Sequence, residues 1–319
     1  MTIDARPGRR PRSKPPAADD PGAHIKPNGS DRVLNWVLLV VLAFFAVSVL
    51  YPLVYIVSAS VSSPDAVSSG AMWLWPVDFS VESYRALMEY PSIPRGFLNS
   101  LLYAGSTMIL ATAITAMGGY ALSRRDLPGR GWIMFAFLFT MLFSGGMIPT
   151  YLVVRQLGLL NTPWVMILPS LVSVWQLIVT RTFYQFTIPD ELLETSRIDG
   201  ASDFSFFFRV VLPLSKPVIA VNLLLYGVGA WNAYFNALIY LTNSDLYPIQ
   251  LVMRNILIQN QFDPSKMANA DPARIAEMQR LAAQLKYALI VIASIPPLIA
   301  YPFVQKHFVK GMMVGSVKG

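Results

Sequence analysis

Residues 33–59 contain no charged side chain, and a run of that length leaves few folds open. Inside a bilayer every backbone N–H and C=O has to be satisfied within the protein, so a long apolar segment there is a helix. A spanning helix needs about 20 apolar residues, whereas the apolar core of a signal peptide is about 7–15. Basic residues precede the run and Ser58, Ala59 and Ser60 are small, yet its length marks an uncleaved membrane helix. Five further apolar runs follow, at 97–123, 132–154, 163–186, 217–241 and 287–304. The third is interrupted at Ser144-Gly145-Gly146 and Pro149, and the last at Pro296-Pro297. Such breaks are tolerated where neighbouring helices or water satisfy the freed backbone groups. The expected fold class is therefore all-α: a polytopic membrane protein with six transmembrane helices.

Composition agrees. Charged residues make up 13% of the chain, against about 25% in soluble domains, and mean hydropathy is +0.48. The net charge is +7 and there is no cysteine, so neither a disulfide framework nor a thiolate metal site is available. The basic residues sit beside apolar runs, as on the cytoplasmic flanks of membrane helices, so no nucleic-acid partner is expected. Lys and Arg concentrate in the leading tail, the 124–130 connector, the 181–216 loop and the end of the chain (Lys306, His307, Lys310, Lys318). That bias places both termini in the cytoplasm.

Residues 1–30 are rich in Pro, Gly, Arg and Asp with almost no aliphatic content, and read as a disordered cytoplasmic tail. Arg9-Arg10 is followed by Pro11 and polar residues, so it is no twin-arginine signal. The remainder, 31–319, is read as one transmembrane domain and includes Trp73 and Trp75 as an interfacial belt and a short amphipathic piece at 80–90. A long polar segment at 242–286 is expected outside, with Asp271-Pro272 opening a helix. Segments of that length are often functional.

The stretch 189–217 is the longest polar interval between two apolar runs, and its grammar is helix, break, helix. Pro189 suits a first helical position. Asp190 and Glu191 complement the helix dipole. Gly200 permits a sharp turn, and Ser202 can cap a second helix. There Phe204, Phe207, Phe208 and Val211 form one stripe at helical spacing, which Pro213 and Pro217 bring to an end.

Glu194-Thr195-Ser196, Ile198-Asp199-Gly200-Ala201-Ser202, Phe208 and Leu212-Pro213-Leu214-Ser215-Lys216-Pro217 together resemble the EAA loop of ABC-importer permeases. Its consensus runs Glu-Ala-Ala, Asp-Gly-Ala, then Pro-Leu-x-x-Pro. Thr195 and Ser196 stand where the family has alanines. The stretches 143–151 and 157–162, with Trp231-Asn232 and Tyr247-Pro248-Ile249-Gln250-Leu251, are similar to the carbohydrate-uptake branch, of LplC/MalG type. The resemblance implies a type I importer fold in a bacterial inner membrane, paired with a second, LplB/MalF-like permease, two cytoplasmic ATPase subunits and an external solute-binding protein. It makes the hairpin (Glu194, Asp199, Gly200, Ala201, Phe204, Phe207, Phe208, Arg209) the ATPase-coupling element. Glu194 is either a partner contact or a solvated charge, Asp199 either a partner contact or a local cap, and Arg209 either a partner's ion pair or solvated.

No Gly-rich Lys-Ser/Thr loop is present, so no catalytic residue, metal or cofactor is expected in this chain, and ATP and Mg belong to the partner ATPase. His24 and His307 are expected to be solvated. Asn222, Trp231, Asn232, Tyr234 and Asn236, with Trp175 and Gln176, are candidates for a sugar path. Aromatic faces stack on sugar C–H surfaces and amides bond hydroxyls, and interhelical packing is the competing role. An ABC permease for another solute is the alternative. A secondary transporter would need an ion-coupling acid inside a span, and none stands there.

Overall fold

The computed structural model describes residues 29–259 and 285–302. All regular elements among them are helical. Helix α1 (Gly29–Ser60) is continuous, with Pro52 inside it. Two compact units, Met1–Pro52 and Leu53–Gly319, divide within it. Its large apolar side chains from Val33 to Leu50 are exposed, as a lipid-facing helix requires. Residues 1–28 of the expected tail lie outside the described residues, while Gly29 and Ser30 open α1.

In the second unit α2 (Pro64–Ser68) and α3 (Glu82–Glu89) precede α4 (Ser92–Ser123). At 1.5 Å per residue α4 is about 48 Å long. It is the axis of the bundle, packing along α8 (Val174–Thr187), α12 (Lys216–Trp231) and α14 (Ile249–Gln259). Its buried side is built largely from small residues, including Gly96, Ser100, Ala104, Thr107, Ala111 and Thr115. Small residues allow close backbone approach between membrane helices, where no hydrophobic force drives association. At Gly119 a Cβ would lie 3.0 Å from Cγ2 of Thr180 and 3.3 Å from the Arg181 nitrogen. No larger residue fits there without moving α8.

Three of the expected spans are not single straight helices. α5 (Arg130–Leu142) and α6 (Met147–Gln156) meet at 115°. Their break covers Ser144-Gly145-Gly146, as the sequence indicates. α7 (Trp164–Ile167) passes through a 3-10 turn at Leu168–Ser170 before α8, with a 48° bend. Pro169 supplies the reason, since it withholds an N–H from the ladder. The expected span 217–241 is divided: α12 stops at Trp231, and α13 (Tyr234–Tyr240) begins after a turn in which Tyr234 N–H reaches the Asn232 carbonyl at 2.8 Å. Asn232 ends α12 with its own amide bonded back to the Val228 carbonyl at 3.0 Å. Three described helices are long and apolar enough to cross a membrane, and up to six if each of three bent pairs is one span: α5 with α6, Trp164–Ser170 with α8, and Asp203–Leu214 with α12.

The 242–286 segment is not simply a surface loop. Asn161, at φ +59°, accepts the N–H groups of Thr242 and Asn243 at 3.1 and 2.8 Å and so pins its start. α14 then turns Ile249, Leu251, Val252 and Met253 into the core beside α4. Arg95 forms an ion pair with Asp245, and Tyr103 Oη donates to the Leu246 carbonyl at 3.0 Å. Asp271-Pro272 and the basic residues beyond 302 lie outside the described residues. The last described helix, α15 (Leu285–Pro302), covers the expected final span as far as 302, and it runs unbroken through Pro296-Pro297, where the sequence indicates an interruption.

Candidate functional site

The hairpin forms at the end of the bundle where α4 finishes. α9 (Asp190–Ile198) starts from Pro189, which takes the N-cap position (ψ 144°) one residue before the expected place. Asp190 and Glu191 occupy its first turn and Arg197 its last, matching the helix dipole at both ends. Asp199 is the C-cap and Gly200 follows at φ +75°. The Gly200 and Ala201 N–H groups bond the Arg197 and Ser196 carbonyls at 3.1 and 2.9 Å. This is a Schellman closure, which needs a left-handed residue at the glycine position. Ser202 Oγ then accepts the Ser205 N–H at 3.2 Å and caps α10 (Asp203–Phe206).

The expected single stripe is split. The helix widens into a π-turn at Phe207–Val211, and the Leu212 N–H bonds the Phe207 carbonyl. Pro213 explains the widening: it has no N–H for the Arg209 carbonyl, and such defects are absorbed as π-bulges. α11 (Leu212–Leu214) carries the helix past Pro213, so Pro213 does not stop it. The chain turns instead at Ser215, by 81°, into α12. Phe206, Phe207 and Val211 are buried against Ala116, Tyr184 and Val218. Phe204 and Phe208 point outward, their rings 4.7 Å apart. Phe206, which the spacing argument passed over, therefore belongs to the anchoring set.

Three buried apolar side chains stabilise the hairpin base by about 1.5–3 kcal/mol each. α9 has no fully buried residue and meets this cluster through half-buried Leu193. Beneath it a cleft of about 830 Å³ opens between the 124–130 connector and the end of α8, with Tyr120, Arg130, Gln185 and Glu191 in its walls. Ion pairs bridge the gap. Arg197 lies 3.1 Å from Asp126 and 3.6 Å from Asp203, Arg124 lies 2.6 Å from Asp126 and 3.4 Å from Asp203, and Arg125 lies 3.6 Å from Asp190. Arg124 is largely covered and also donates to Tyr120 Oη at 2.8 Å. The Arg124 hydrogen bond holds the Asp126 carboxyl well below the usual carboxylate range and raises the guanidinium in turn. The sequence signal for this cluster was present in Arg124-Arg125-Asp126, but nothing in it names the partners across the fold.

Glu194, Asp199 and Arg209 are exposed, with no ion pair or hydrogen bond from their side chains among the described residues. Ala201 is half-buried. Ile198, at 87% exposure, and Phe204, at 71%, leave large apolar surface in water on the same hairpin.

The candidates for a sugar path separate into two kinds. Asn222 and Trp231 are buried and already partnered. Asn222 Nδ2 donates to Thr180 Oγ1 at 2.8 Å, and Trp231 Nε1 to the Ala293 carbonyl at 3.0 Å. Both are packing contacts between helices. The cleft beside Trp231, about 350 Å³ and walled by residues such as Met108, Leu223, Gly227 and Pro297, is apolar throughout, so it offers sugar hydroxyls no partner. Asn232, Tyr234 and Trp175 are exposed, and Asn236 is half-buried. Gln176 is buried with its Oε1 unbonded. No hydrogen bond or ring contact joins Trp175 and Gln176 to Asn232, Tyr234 or Asn236 among the described residues. Nor do the described residues contain a group of three His, Asp or Glu side chains placed to hold a metal ion.

Residues 131–314 match the family described as the binding-protein-dependent transport system inner membrane component. The chain belongs to this family. It is 40% identical over 292 residues to the polygalacturonan/rhamnogalacturonan transport system permease protein YtcP of Bacillus subtilis (strain 168), covering 91% of this chain and 99% of that one. Protein LplC of the same organism is 40% identical over 275 residues, covering 84% and 89%. Among solved structures, one chain of a bacterial ABC transporter involved in the import of the acidic polysaccharide alginate superposes with a TM-score of 0.80 at 31% identity, covering 88% of this chain and 98% of that one. The fold is thus that of a type I ABC-importer permease, all-α and multi-pass, in the inner membrane.

Proposed function

We propose that this chain is the permease subunit of an ATP-driven importer for an oligosaccharide, and that its hairpin couples the transport path to a cytoplasmic ATPase. The observation that carries the coupling role is the exposed face of the hairpin. Ile198, Phe204, Phe208, Glu194, Asp199 and Arg209 face away from the bundle, while the hairpin base is locked into it. A polar-rimmed apolar surface on a rigid base is what a docking element requires. The clustering of Lys and Arg beside this end of the bundle supports a cytoplasmic location for it and for both termini.

The sugar reading rests on the relatives. The reported permease acts in polygalacturonan/rhamnogalacturonan transport and the reported structure in alginate import, so acidic oligosaccharides are the first class to test. Within the chain, Gln176 supports a polar path. A buried amide oxygen without a partner is costly, and a solute hydroxyl would satisfy it.

In the proposed cycle ATP draws two partner ATPases together, and ATP and Mg²⁺ stay on those subunits. Each ATPase carries a docked hairpin, one from this chain and one from a second permease. Their closure turns the helices and switches the cavity between inward- and outward-facing. An external binding protein delivers solute and biases that equilibrium through contacts that differ between the two states.

The test is uptake by proteoliposomes holding the full complex. Oligogalacturonides, alginate oligosaccharides and neutral maltodextrins would be offered with the cognate binding protein. ATP-dependent accumulation of at least one oligosaccharide is expected. Failure with every saccharide, alongside uptake of an amino acid or polyamine, contradicts the sugar reading and favours a permease for another solute.

A further inference from the structure

We propose that Arg124, Asp126, Arg197 and Asp203 form a charged brace that fastens α9 to the α4–α5 connector, so that α4 receives the hairpin's movement directly. The inference rests on the reading of the hairpin as the ATPase-docking element.

α10 and the π-turn enter the bundle through Phe206, Phe207 and Val211. Force arriving there passes into α12 by continuity of the chain, and reaches the end of α4 only through the apolar contacts at Ala116 and Tyr120. α9 has no buried side chain and spans a cleft. It is nevertheless held at both ends by consecutive connector residues, with Asp190 on Arg125 and Arg197 on Asp126. In the four-membered ring each carboxylate meets both guanidinium groups. Isolated surface pairs stabilise little, whereas networks with fixed geometry hold orientation. The ring is fixed on the α4 side, where Arg130 donates to the Arg124 carbonyl at 3.1 Å and Tyr120 accepts from Arg124. Tyr120 also packs on Phe207, with ring centroids 5.2 Å apart. α4 in turn packs along α8, α12 and α14, so a push on the connector reaches every long helix in contact with it. These are positioning residues: each acts through the side chains it pairs with.

The chain has no cysteine, which allows a direct test in the complete complex. Ser92→Cys reports the far end of α4, and Gly229→Cys, where a side chain meets open space, reports the last turn of α12. Reaction with a water-soluble maleimide is compared without nucleotide and after ATP–vanadate trapping. With the brace intact both positions should change reactivity, by about fivefold or more if the two states are strongly coupled to nucleotide. Arg197→Gln should weaken the change at position 92 several-fold, leaving what the apolar contacts of the hairpin base with α4 transmit, and keep it at 229, while Arg197→Lys restores the response at 92. Co-purification of the ATPase with Arg197→Gln is expected to be unchanged, because the apolar base stays in place. An undiminished response at 92 in Arg197→Gln overturns the brace. So does loss of both responses while the ATPase stays bound. If the ATPase fails to co-purify with the unsubstituted chain, the docking reading itself falls, and the brace with it.

Discussion

Trp231 Nε1 donates to the carbonyl oxygen of Ala293 at 3.0 Å, and Ala293 is the residue whose helical partner would have been the nitrogen of Pro297. Proline has no N–H to give, so the indole supplies the missing donor from another helix. This relationship makes Trp231 a tie between α12 and α15. Trp231→Phe should leave one buried carbonyl unbonded, at a cost of about 1 kcal/mol. A lower thermal midpoint in detergent is expected, with half-saturating solute unchanged. A raised solute requirement at unchanged thermal midpoint would instead restore Trp231 to the transport path.

Asn222 and Thr180 form the corresponding tie between α12 and α8. Hydrogen bonds between membrane helices average about 0.6 kcal/mol and reach about 1.7. A double-mutant cycle with Asn222→Leu and Thr180→Val, read by unfolding in detergent, should give a coupling energy in that range. Additive effects would show that the bond contributes nothing.

Gly119→Leu should be far more damaging than either. Its Cβ alone would sit at 3.0 Å from Thr180 and the backbone of Arg181 would be next, so α8 has to shift. Overpacking of this kind costs about 1–3 kcal/mol or more. Reduced recovery of the assembled complex on size exclusion is the expected outcome. Gly105→Ala, where a Cβ meets open space, is the control and should assemble normally.

At Gly200 the constraint is conformational rather than steric, since nothing lies within 4 Å of an added Cβ while φ is +75°. A left-handed conformation costs a non-glycine residue about 1–2 kcal/mol, and more for a β-branched side chain. Gly200→Val should insert and assemble but hydrolyse ATP with little transport. Gly200→Asn, which tolerates that conformation, should retain most of it. Full coupling in the valine variant would contradict the proposed role of the turn.

The sign of the pH dependence follows from Asp126. Its folded pKa is depressed by the Arg124 hydrogen bond, so the stability it contributes is fully present above the unfolded value of about 3.9. It is lost only as pH falls through the folded pKa. The response at position 92 should therefore be flat from pH 8 down to about 5. High salt should weaken it, because exposed pairs are screened beyond about 3 Å at 1 M. A midpoint near pH 6.5 would show that some other group governs the brace.

Much of the architecture was legible in the sequence because membrane helices are long and nearly free of charge. The hairpin was legible because Gly200, Ser202 and the prolines each have one preferred local geometry. Local rules gave no account of what lies across the fold. The spacing of Phe204, Phe207, Phe208 and Val211 assumes an unbroken α-helix, and the π-turn before Pro213 sends the pairs to opposite sides. Asn222 and Trp231 resemble path residues in sequence, because an amide or indole inside a span suits a cavity and a helix contact equally. Arg197 stands 71 residues from Asp126 in the chain, and only folding shows that it meets the Arg124-Asp126 pair.

The central claim is that the outward face of the hairpin meets an ATPase in the cytoplasm. Ile198→Cys, unique in the chain, tests it most directly with a membrane-impermeant maleimide. No labelling is expected in intact cells, with labelling in inside-out vesicles stripped of the ATPase and protection when the ATPase is added back. Labelling of position 198 from outside intact cells would contradict it.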